Sequence, residues 1–286
     1  MHSIKSRPVW LEALFRVLKS KLNIIALLMV LVYAIVALMS HFGFIASDWS
    51  AEVGASYESP STRHIFGTDI FGRSVAKKII KSTEIAISVG LVVGVVTVFL
   101  GVILGILAGY FGGFLDEILV WFYSIVSSIP SSMLLVSLAF IMGKGILAVY
   151  ISLAMTFWTD VFQSVRGEVM RQKNKDYLQA ASAIGANHLR KLFIHILPNI
   201  MHIVIIRFSI IFQYAIKAEV TLSYLGLGVQ GVPSWGIMID DSKIELLRGV
   251  WWQLVFATFF MFLIVMAFNI LSDAFRDALD PKLRKL

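Results

Sequence analysis

The sequence predicts an all-α integral membrane protein with six transmembrane helices. Of its 286 residues, 58% are hydrophobic and only 15% are charged, and the mean hydropathy is +0.82. These values lie far outside the usage of soluble domains. The chain has no cysteine, so the sequence indicates neither a disulfide nor a thiolate metal site.

Six apolar stretches are long enough to cross a bilayer, which needs about 20 residues per helix. Four of them carry no charged residue: 22–47, 85–115, 118–143 and 249–272. Two more contain charges but remain long and apolar: 146–165 and 200–225. The first stretch follows a basic segment, as in a signal peptide, but its apolar run is too long for one. We therefore expect it to be retained as a helix.

The basic residues favour an orientation with both termini in the cytoplasm. In this topology the inner segments hold fifteen of the 25 Lys and Arg residues and the outer segments hold eight. The exception is the outer loop 43–84, which carries five basic residues. Part of it, residues 67–83, is predicted to form an amphipathic helix that is capped by Asp69 and lies at the membrane surface. A loop that re-enters the bilayer is the alternative.

Small residues and one proline mark the second and third stretches. Gly90 and Gly94 are four residues apart, and so are the members of a second set: Gly101, Gly105 and Gly109. This spacing predicts close packing of helix backbones in lipid, with a gating pivot as the alternative. Pro130 is expected to kink the third span.

The best-formed polar helical pattern lies between two spans, in "DYLQAASAIGANHLRKLFIHILPN" at residues 176–199. Asp176 is expected to cap a first helix, and Gly185 allows the chain to turn. A second amphipathic helix is predicted next, with four apolar residues on one face: Leu189, Leu192, Phe193 and Ile196. Pro198 then suits the start of the fifth span. The pattern fits a bent docking element, or a basic connector that only enforces orientation.

This stretch resembles the coupling motif of permease subunits of ATP-binding-cassette (ABC) importers. The motif begins Glu-Ala-Ala, with a Gly four residues after the second Ala and an Ile-x-Leu-Pro-like end. The position usually held by Glu is Gln179 here, so the negative charge that the family carries at that position is absent. The resemblance assigns contact with an ATPase to Tyr177, Gln179, Ala180, Ala181, Gly185, Ile196, Leu197 and Pro198.

Further motifs in the same order narrow the resemblance to the subfamily that imports dipeptides, oligopeptides or nickel. They are "FGTDIFGRSV" (66–75), "FWTDVFQSVRGEV" (157–169), "EVTLSYLGLGVQGVPSWGIMI" (219–239) and "DALDPKLR" (277–284). The resemblance covers the chain from about residue 64 onward. It implies a five-helix importer core preceded by one N-terminal helix, in a prokaryotic cytoplasmic (inner) membrane.

The implied domain organisation has three parts. Residues 1–82 comprise a cytoplasmic segment, the first transmembrane helix and the outer loop, while 83–274 form the permease core with a coupling loop at 166–198. Residues 275–286 form a cytoplasmic tail. The implied partners are two ATPase subunits, a second related permease, an extracytoplasmic substrate-binding protein and membrane lipid. Neither nucleic acid nor a cofactor is expected.

Three residues near the outer end of the fifth span are candidates for intramembrane or outer-gate positions. Lys217 is expected to reach the interface along its flexible stem. Glu219 begins a family motif and is expected to face the bundle interior, because intramembrane carboxylates usually point inward. Trp235, in the Gly/Pro-rich loop 226–236, is expected at the membrane interface, in a lid or docking surface.

The sequence lacks the motifs of several other functions. It contains no G-x-x-x-x-G-K-[ST] phosphate-binding loop, so ATP must be hydrolysed on another chain. Neither H-E-x-x-H nor G-x-S-x-G occurs, and the spacing of the histidines at 188, 195 and 202 does not predict a metal site, because Pro198 interrupts the helix. A transporter driven by an ion gradient and a non-transporting scaffold remain alternatives, although no internal repeat is evident.

Overall fold

The computed structural model describes residues 17–279. Nine helices follow in chain order within these residues. They are α1 (Lys21–His41), α2 (Val75–Phe111), α3 (Gly113–Ser127), α4 (Ser131–Met142), α5 (Ile146–Lys173), α6 (Asp176–Ala183), α7 (His188–Tyr224), α8 (Trp235–Leu247) and α9 (Trp252–Leu279). The predicted all-helical fold class is confirmed.

Five of these helices are long and apolar enough to cross a membrane: α1, α2, α5, α7 and α9. A sixth span exists if α3 and α4 are counted together, and these two helices meet at an angle of 89°. The expectation of a single kinked span over 118–143 is therefore too simple. Pro130 does more than kink the helix: α3 ends at Ser127, and Pro130 is the N-cap residue of α4. Proline cannot donate the backbone hydrogen bond that a continuous helix would need there.

Helix α2 is the central element and packs against α1, α5, α7 and α9. Its glycines allow this, because an added Cβ at Gly101 would lie 2.5 Å from Val161 of α5. On the neighbouring face, a Cβ at Gly90 would lie 2.7 Å from the ring of Phe212 in α7. The predicted close approach of helix backbones is therefore found at Gly101, Gly105 and Gly109, whereas Gly90 and Gly94 make room for aromatic rings of α7.

The predicted helix over 67–83 is wrong at its start. Ser74 is the N-cap, with its side chain accepting from Lys77 N, and α2 continues for 37 residues from Val75. Residues 75–83 are therefore the first turns of a spanning helix and do not form a separate surface helix. Asp69 lies in the preceding loop, where its Oδ1 accepts from the backbone N–H groups of Phe71 and Arg73. The terminal motif at 277–284 falls largely outside the described residues.

Candidate functional site

Segment 176–197 contains the bend that the sequence predicts. Helix α6 ends with Gly185 at φ +80°, a conformation that favours glycine. Gly185 N donates to Ser182 O and Ala186 N donates to Ala181 O, both at 3.0 Å. This pair of bonds is a Schellman motif, which closes a helix and redirects the chain. Asp176 is the first helical residue and makes no cap, which corrects its predicted role.

A cap that the sequence analysis missed starts the second helix. The side chain of Asn187 accepts a hydrogen bond of 2.8 Å from Arg190 N, the usual N-cap interaction. The signal was available, because Asn directly precedes the helical pattern. Residues Lys191–Ile196 then form a π-helical stretch, after which the α-helix resumes at Leu197 with Pro198 in its first turn.

The π-helical stretch splits the predicted apolar face of this second helix. Leu192 and Ile196 are buried, whereas Leu189 and Phe193 are about two-thirds exposed. A π-helix bonds residue i to i+5, so it changes the register on which four residues would share a face. The sequence prediction assumed regular α-helical spacing and was therefore wrong for half of the set.

Two polar contacts hold segment 176–197 against the bundle. The Tyr177 hydroxyl donates to Gln172 Oε1 at 2.9 Å, and Gln172 Nε2 donates to Glu168 Oε1 at 2.7 Å, both acceptors lying in α5. Burial raises the pKa of the Tyr177 hydroxyl, so the group stays protonated and can donate. On the other side, Tyr110 at the end of α2 lies 2.8 Å from His188 Nδ1 through its hydroxyl.

The opposite side of α6 has no cover within the described part of the chain. Leu178 and Ala181 are buried against the bundle, whereas Gln179 and Ala180 are exposed. Ile184, beside the bend, is 86% exposed. Small side chains on an exposed helix allow a partner to approach the backbone closely. Of the predicted contact residues, Tyr177 and Leu197 are half-buried, Ile196 is buried, and Gly185 and Pro198 are exposed.

Comparison with known proteins decides the family. Residues 101–285 match the family described as "Binding-protein-dependent transport system inner membrane component". The chain belongs to this family. It is similar over nearly its whole length to the oligopeptide permease OppC of Bacillus subtilis, with 34% identity over 99% of this chain and 93% of that protein. The dipeptide permease DppC of the same organism is 35% identical over 96% of this chain and 86% of its own length.

A third relative has a different named substrate. The glutathione transport permease GsiD of Pectobacterium atrosepticum is 32% identical, over 97% of this chain and 93% of that protein. The family resemblance that the sequence motifs indicated is thus confirmed. The chain is the transmembrane permease of an ABC importer, a transport component and not itself an enzyme, and importers of this family work with ATPase and substrate-binding partners.

Glu219 of this permease lies inside the bundle, as expected. Its side chain is 2% exposed, and its Oε1 accepts from the Ser223 hydroxyl at 2.6 Å. Ser234 in the following loop lies 3.3 Å from Ser223 through the two hydroxyl oxygens. This chain of hydroxyls connects the end of α7 to the start of α8. Lys217 is exposed, with its ammonium 4.6 Å from the ring centre of Tyr214.

Trp235 is not at an interface, contrary to the sequence prediction. It is the first residue of α8 and is only 1% exposed. Its ring packs edge to face on Tyr33 of α1, with ring centres 6.3 Å apart. The loop composition suggested a surface position, but Trp235 belongs to a buried cluster that draws residues from several helices, including Tyr33 of α1.

A buried ionic cluster at the other end of α2 was missed entirely. Lys78 Nζ donates to Asp69 Oδ2 at 3.0 Å and to Gln253 Oε1 at 2.8 Å, and Glu245 is buried beside them. We call Asp69, Lys78, Glu245 and Gln253 the cap cluster. Trp252 Nε1 donates to Thr68 O at 3.0 Å and ties the same loop to α9. The cluster joins elements up to 175 residues apart, so local pattern could not reveal it.

The described residues offer little for metal chemistry. Among residues 17–279, no group of three or more His, Cys, Asp or Glu side chains is arranged to hold a metal ion. His188 contacts Tyr110, and the ring of His195 lies 6.4 Å from that of Tyr177. Both histidines therefore make contacts with aromatic side chains within or beside segment 176–197.

Proposed function

We propose that this permease forms half of the pore of a peptide importer and that segment 176–197 receives the motion of an ATPase subunit. The observation that carries the proposal is the bent helix pair with one face anchored to α2 and α5 and the other exposed. Both anchors lie at the ends of long helices, so a displacement of the segment acts directly on α2 and α5. The exposed small residues of α6 suit insertion into a cleft.

The proposed partners follow from the family and from the surface of the bundle. We propose two ATPase subunits, a second related permease, an extracytoplasmic binding protein and surrounding lipid. Helices α3 and α4 leave large apolar side chains exposed, among them Phe114, Trp121, Met133 and Phe140. Such surfaces suit lipid or another apolar protein face, which supports a two-permease pore. Peptides are proposed as substrate because two of the relatives are named for them, and a related small substrate such as a nickel complex is the alternative.

Glu219 is proposed to fix the outer end of α7 to the loop that follows. Its contact with Ser223, and through it with Ser234, supports this role. A Glu219→Leu variant loses both shape and hydrogen bonding, whereas Glu219→Gln keeps some of each. Assembly and transport should therefore survive Gln better than Leu. Equal tolerance of the two variants would contradict the assignment.

The coupling role can be tested by replacing Gly185 with valine in the complete importer. Valine is strained at φ +80°, so the bend should be lost or displaced. We expect at least a tenfold loss of peptide-dependent ATP hydrolysis and uptake in proteoliposomes, with normal membrane insertion. If Gly185→Val keeps full transport, the bend has no coupling role. If uptake follows an ion gradient and not ATP, the chain serves a secondary transporter instead.

Gly43 provides a matched control for this variant. It ends α1 in the same Schellman geometry, with φ +75°, Gly43 N donating to Ser40 O and Phe44 N donating to Met39 O. An added Cβ meets no atom within 4 Å at either glycine. Gly43→Val therefore introduces similar backbone strain away from segment 176–197. It should leave ATPase coupling intact.

The proposed topology places both termini and segment 176–197 in the cytoplasm. Because the native chain lacks cysteine, single cysteines can be introduced at Ser61 and Ser182, which are both exposed. A membrane-impermeant thiol reagent should label Ser61→Cys on intact cells and leave Ser182→Cys unlabelled until the cells are opened. The reverse pattern would invert the topology.

A further inference from the structure

A small pocket lies beside segment 176–197, between the ends of α2 and α5. Its volume is about 300 Å³. The walls combine aromatic rings with basic and neutral polar side chains, including Tyr110, Phe111, Lys173, Gln179, His188 and Lys191. The proposed coupling function uses the Tyr110–His188 contact as an anchor but leaves the space itself without a role.

The pocket carries positive charge that the described chain does not neutralise. Its lining residues include Lys173 and Lys191 and no Asp or Glu. Within residues 17–279, neither lysine forms a salt bridge. The nearby carboxylate of Asp116 already accepts from two nitrogens of Arg166, Nε at 2.6 Å and Nη2 at 2.7 Å. Gln179 contributes an amide and no charge.

The pocket also presents several hydrogen-bond donors. Each lysine ammonium has three protons to donate. When the Tyr110 hydroxyl donates to His188 Nδ1, the neutral imidazole carries its proton on Nε2, which is then a further donor. The Gln179 amide adds two more. A carboxylate is an acceptor with two oxygens, so its chemistry complements this set.

We propose that this pocket receives the carboxylate of an Asp or Glu side chain of the ATPase subunit. The inference rests on the proposed docking of that subunit on segment 176–197. Gln179 and Ser182 belong to α6 and also line the pocket, so an ATPase seated on the exposed face of α6 lies across its mouth. A partner's side chain is thus brought to the pocket by the same contact that couples the two proteins.

The test measures the affinity between the full-length permease complex, in nanodiscs of neutral lipid, and its ATPase subunit. Lys191→Gln removes a donor charge and Gln179→Glu places a carboxylate on the pocket rim, so each should weaken binding by about tenfold, the scale of a charge-assisted hydrogen bond. Lys191→Arg keeps the charge and should bind within about threefold of the unchanged protein, a difference of under 1 kcal/mol. Lys175→Gln is the control, because Lys175 precedes the same helix but does not line the pocket.

A covalent test identifies the partner group directly. A carbodiimide joins an amine to a carboxylate in close contact, forming an amide bond with loss of water. In the assembled importer it should link Lys191 or Lys173 to an Asp or Glu of the ATPase, as read by mass spectrometry. The link should disappear for the corresponding Lys→Arg variant, since a guanidinium does not form this amide.

Several results would overturn the inference. Tighter binding of Gln179→Glu would show that the ATPase presents a cation to the pocket. Equal weakening by Lys175→Gln and Lys191→Gln would show a diffuse attraction to a basic surface. An effect of the pocket variants that occurs only with anionic lipid would assign the pocket to a lipid phosphate. Absence of any ATPase binding by the unchanged permease would instead refute the proposed function itself.

Discussion

The cap cluster lies at the start of α2, and segment 176–197 lies beside its end. The two regions differ in how their charged side chains are paired. Lys78 and Tyr110 are 32 residues apart on α2, or about 48 Å along the helix axis. At the first end, ionic groups are buried and bonded to one another across three elements. At the other, basic groups line an open pocket beside a helix whose outer face is exposed.

The difference shows which end is complete within this chain. The cap cluster satisfies Lys78 internally through Asp69 and Gln253, so its geometry is fixed without a partner. Segment 176–197 is held by a few polar contacts and by four buried apolar residues: Leu178, Ala181, Leu192 and Ile196. Helix α6 buries only two of its eight residues, and elements with few buried contacts open at low free-energy cost. We therefore expect the cap cluster to be the more rigid of the two regions and α6 to be the more mobile.

Breaking the cap cluster should have the largest effect on stability. Lys78→Met keeps the length of the side chain but removes the buried cation from the Asp69 carboxylate, which is 1% exposed and keeps only the partly exposed guanidinium of Arg73 at 3.3 Å. Removing one member of a buried pair costs about 3–5 kcal/mol when the other charge is left unpaired, so with Arg73 still beside Asp69 we expect a loss toward the lower end of this range. We expect a clear fall in the thermal unfolding midpoint of the purified permease. The double variant Asp69→Asn/Lys78→Met should recover part of it.

Lys77 provides the matched control one residue away. Its ammonium pairs with Asp48 at 2.5 Å, but both side chains are substantially exposed. Exposed pairs contribute about 0–1 kcal/mol. Lys77→Met should therefore barely change the midpoint. A similar loss in both variants would mean that burial does not distinguish the two ion pairs. The cap cluster would then contribute no more to stability than an exposed pair.

The pH dependence of stability should also report on the cap cluster. Burial raises the pKa of the Glu245 carboxyl from 4.5 to about 7, and Lys78 only partly opposes this. The folded protein then binds more protons than the unfolded one between these two pH values, so stability falls as pH rises through this window. Glu245→Gln mimics the protonated form. It should flatten the decline in unfolding midpoint between pH 5 and 7.

Asp48 is the control for this measurement. Its hydrogen bond with Lys77 lowers the pKa of the Asp48 carboxyl below 3.8, so it titrates below the window. Asp48→Asn should leave the slope between pH 5 and 7 unchanged. An unchanged slope in Glu245→Gln would show that another group, such as the neighbouring Asp241 whose pKa burial also raises, carries the dependence.

The sequence predicted features that arise from local chemistry. Apolar runs located the spans because lipid requires about 20 apolar residues in each helix. Gly185 located the bend because it lies in a positive-φ turn that favours glycine. The four-residue glycine spacing located the α2–α5 contact because small residues let backbones approach. In each case a few neighbouring residues determine the outcome.

Several errors came from features that local sequence patterns do not show. Asp69 is of a residue type that often caps helices. Here its carboxylate instead accepts from Lys78 within α2, and Gln253 of α9 completes the cluster. Trp235 lies in a loop-like stretch, but α1 covers it. The π-helical residues Lys191–Ile196 carry no sequence signature that separates them from an α-helix. Local periodicity holds no information on any of these.

The smallest effect is expected where segment 176–197 meets α5. Tyr177→Phe keeps the ring but removes the donor to the buried Oε1 of Gln172, a loss of about 1 kcal/mol. That change should raise amide hydrogen exchange in α6 by about fivefold while leaving the global unfolding midpoint nearly unchanged. Tyr123→Phe removes the same type of bond, to Gln163 at 3.0 Å, but at an exposed site. Because Tyr123 lies in α3, its loss should not affect exchange in α6. If Tyr177→Phe leaves exchange in α6 as slow as before, the Tyr177–Gln172 contact does not anchor segment 176–197, and the contact between Tyr110 and His188 would be its polar anchor instead.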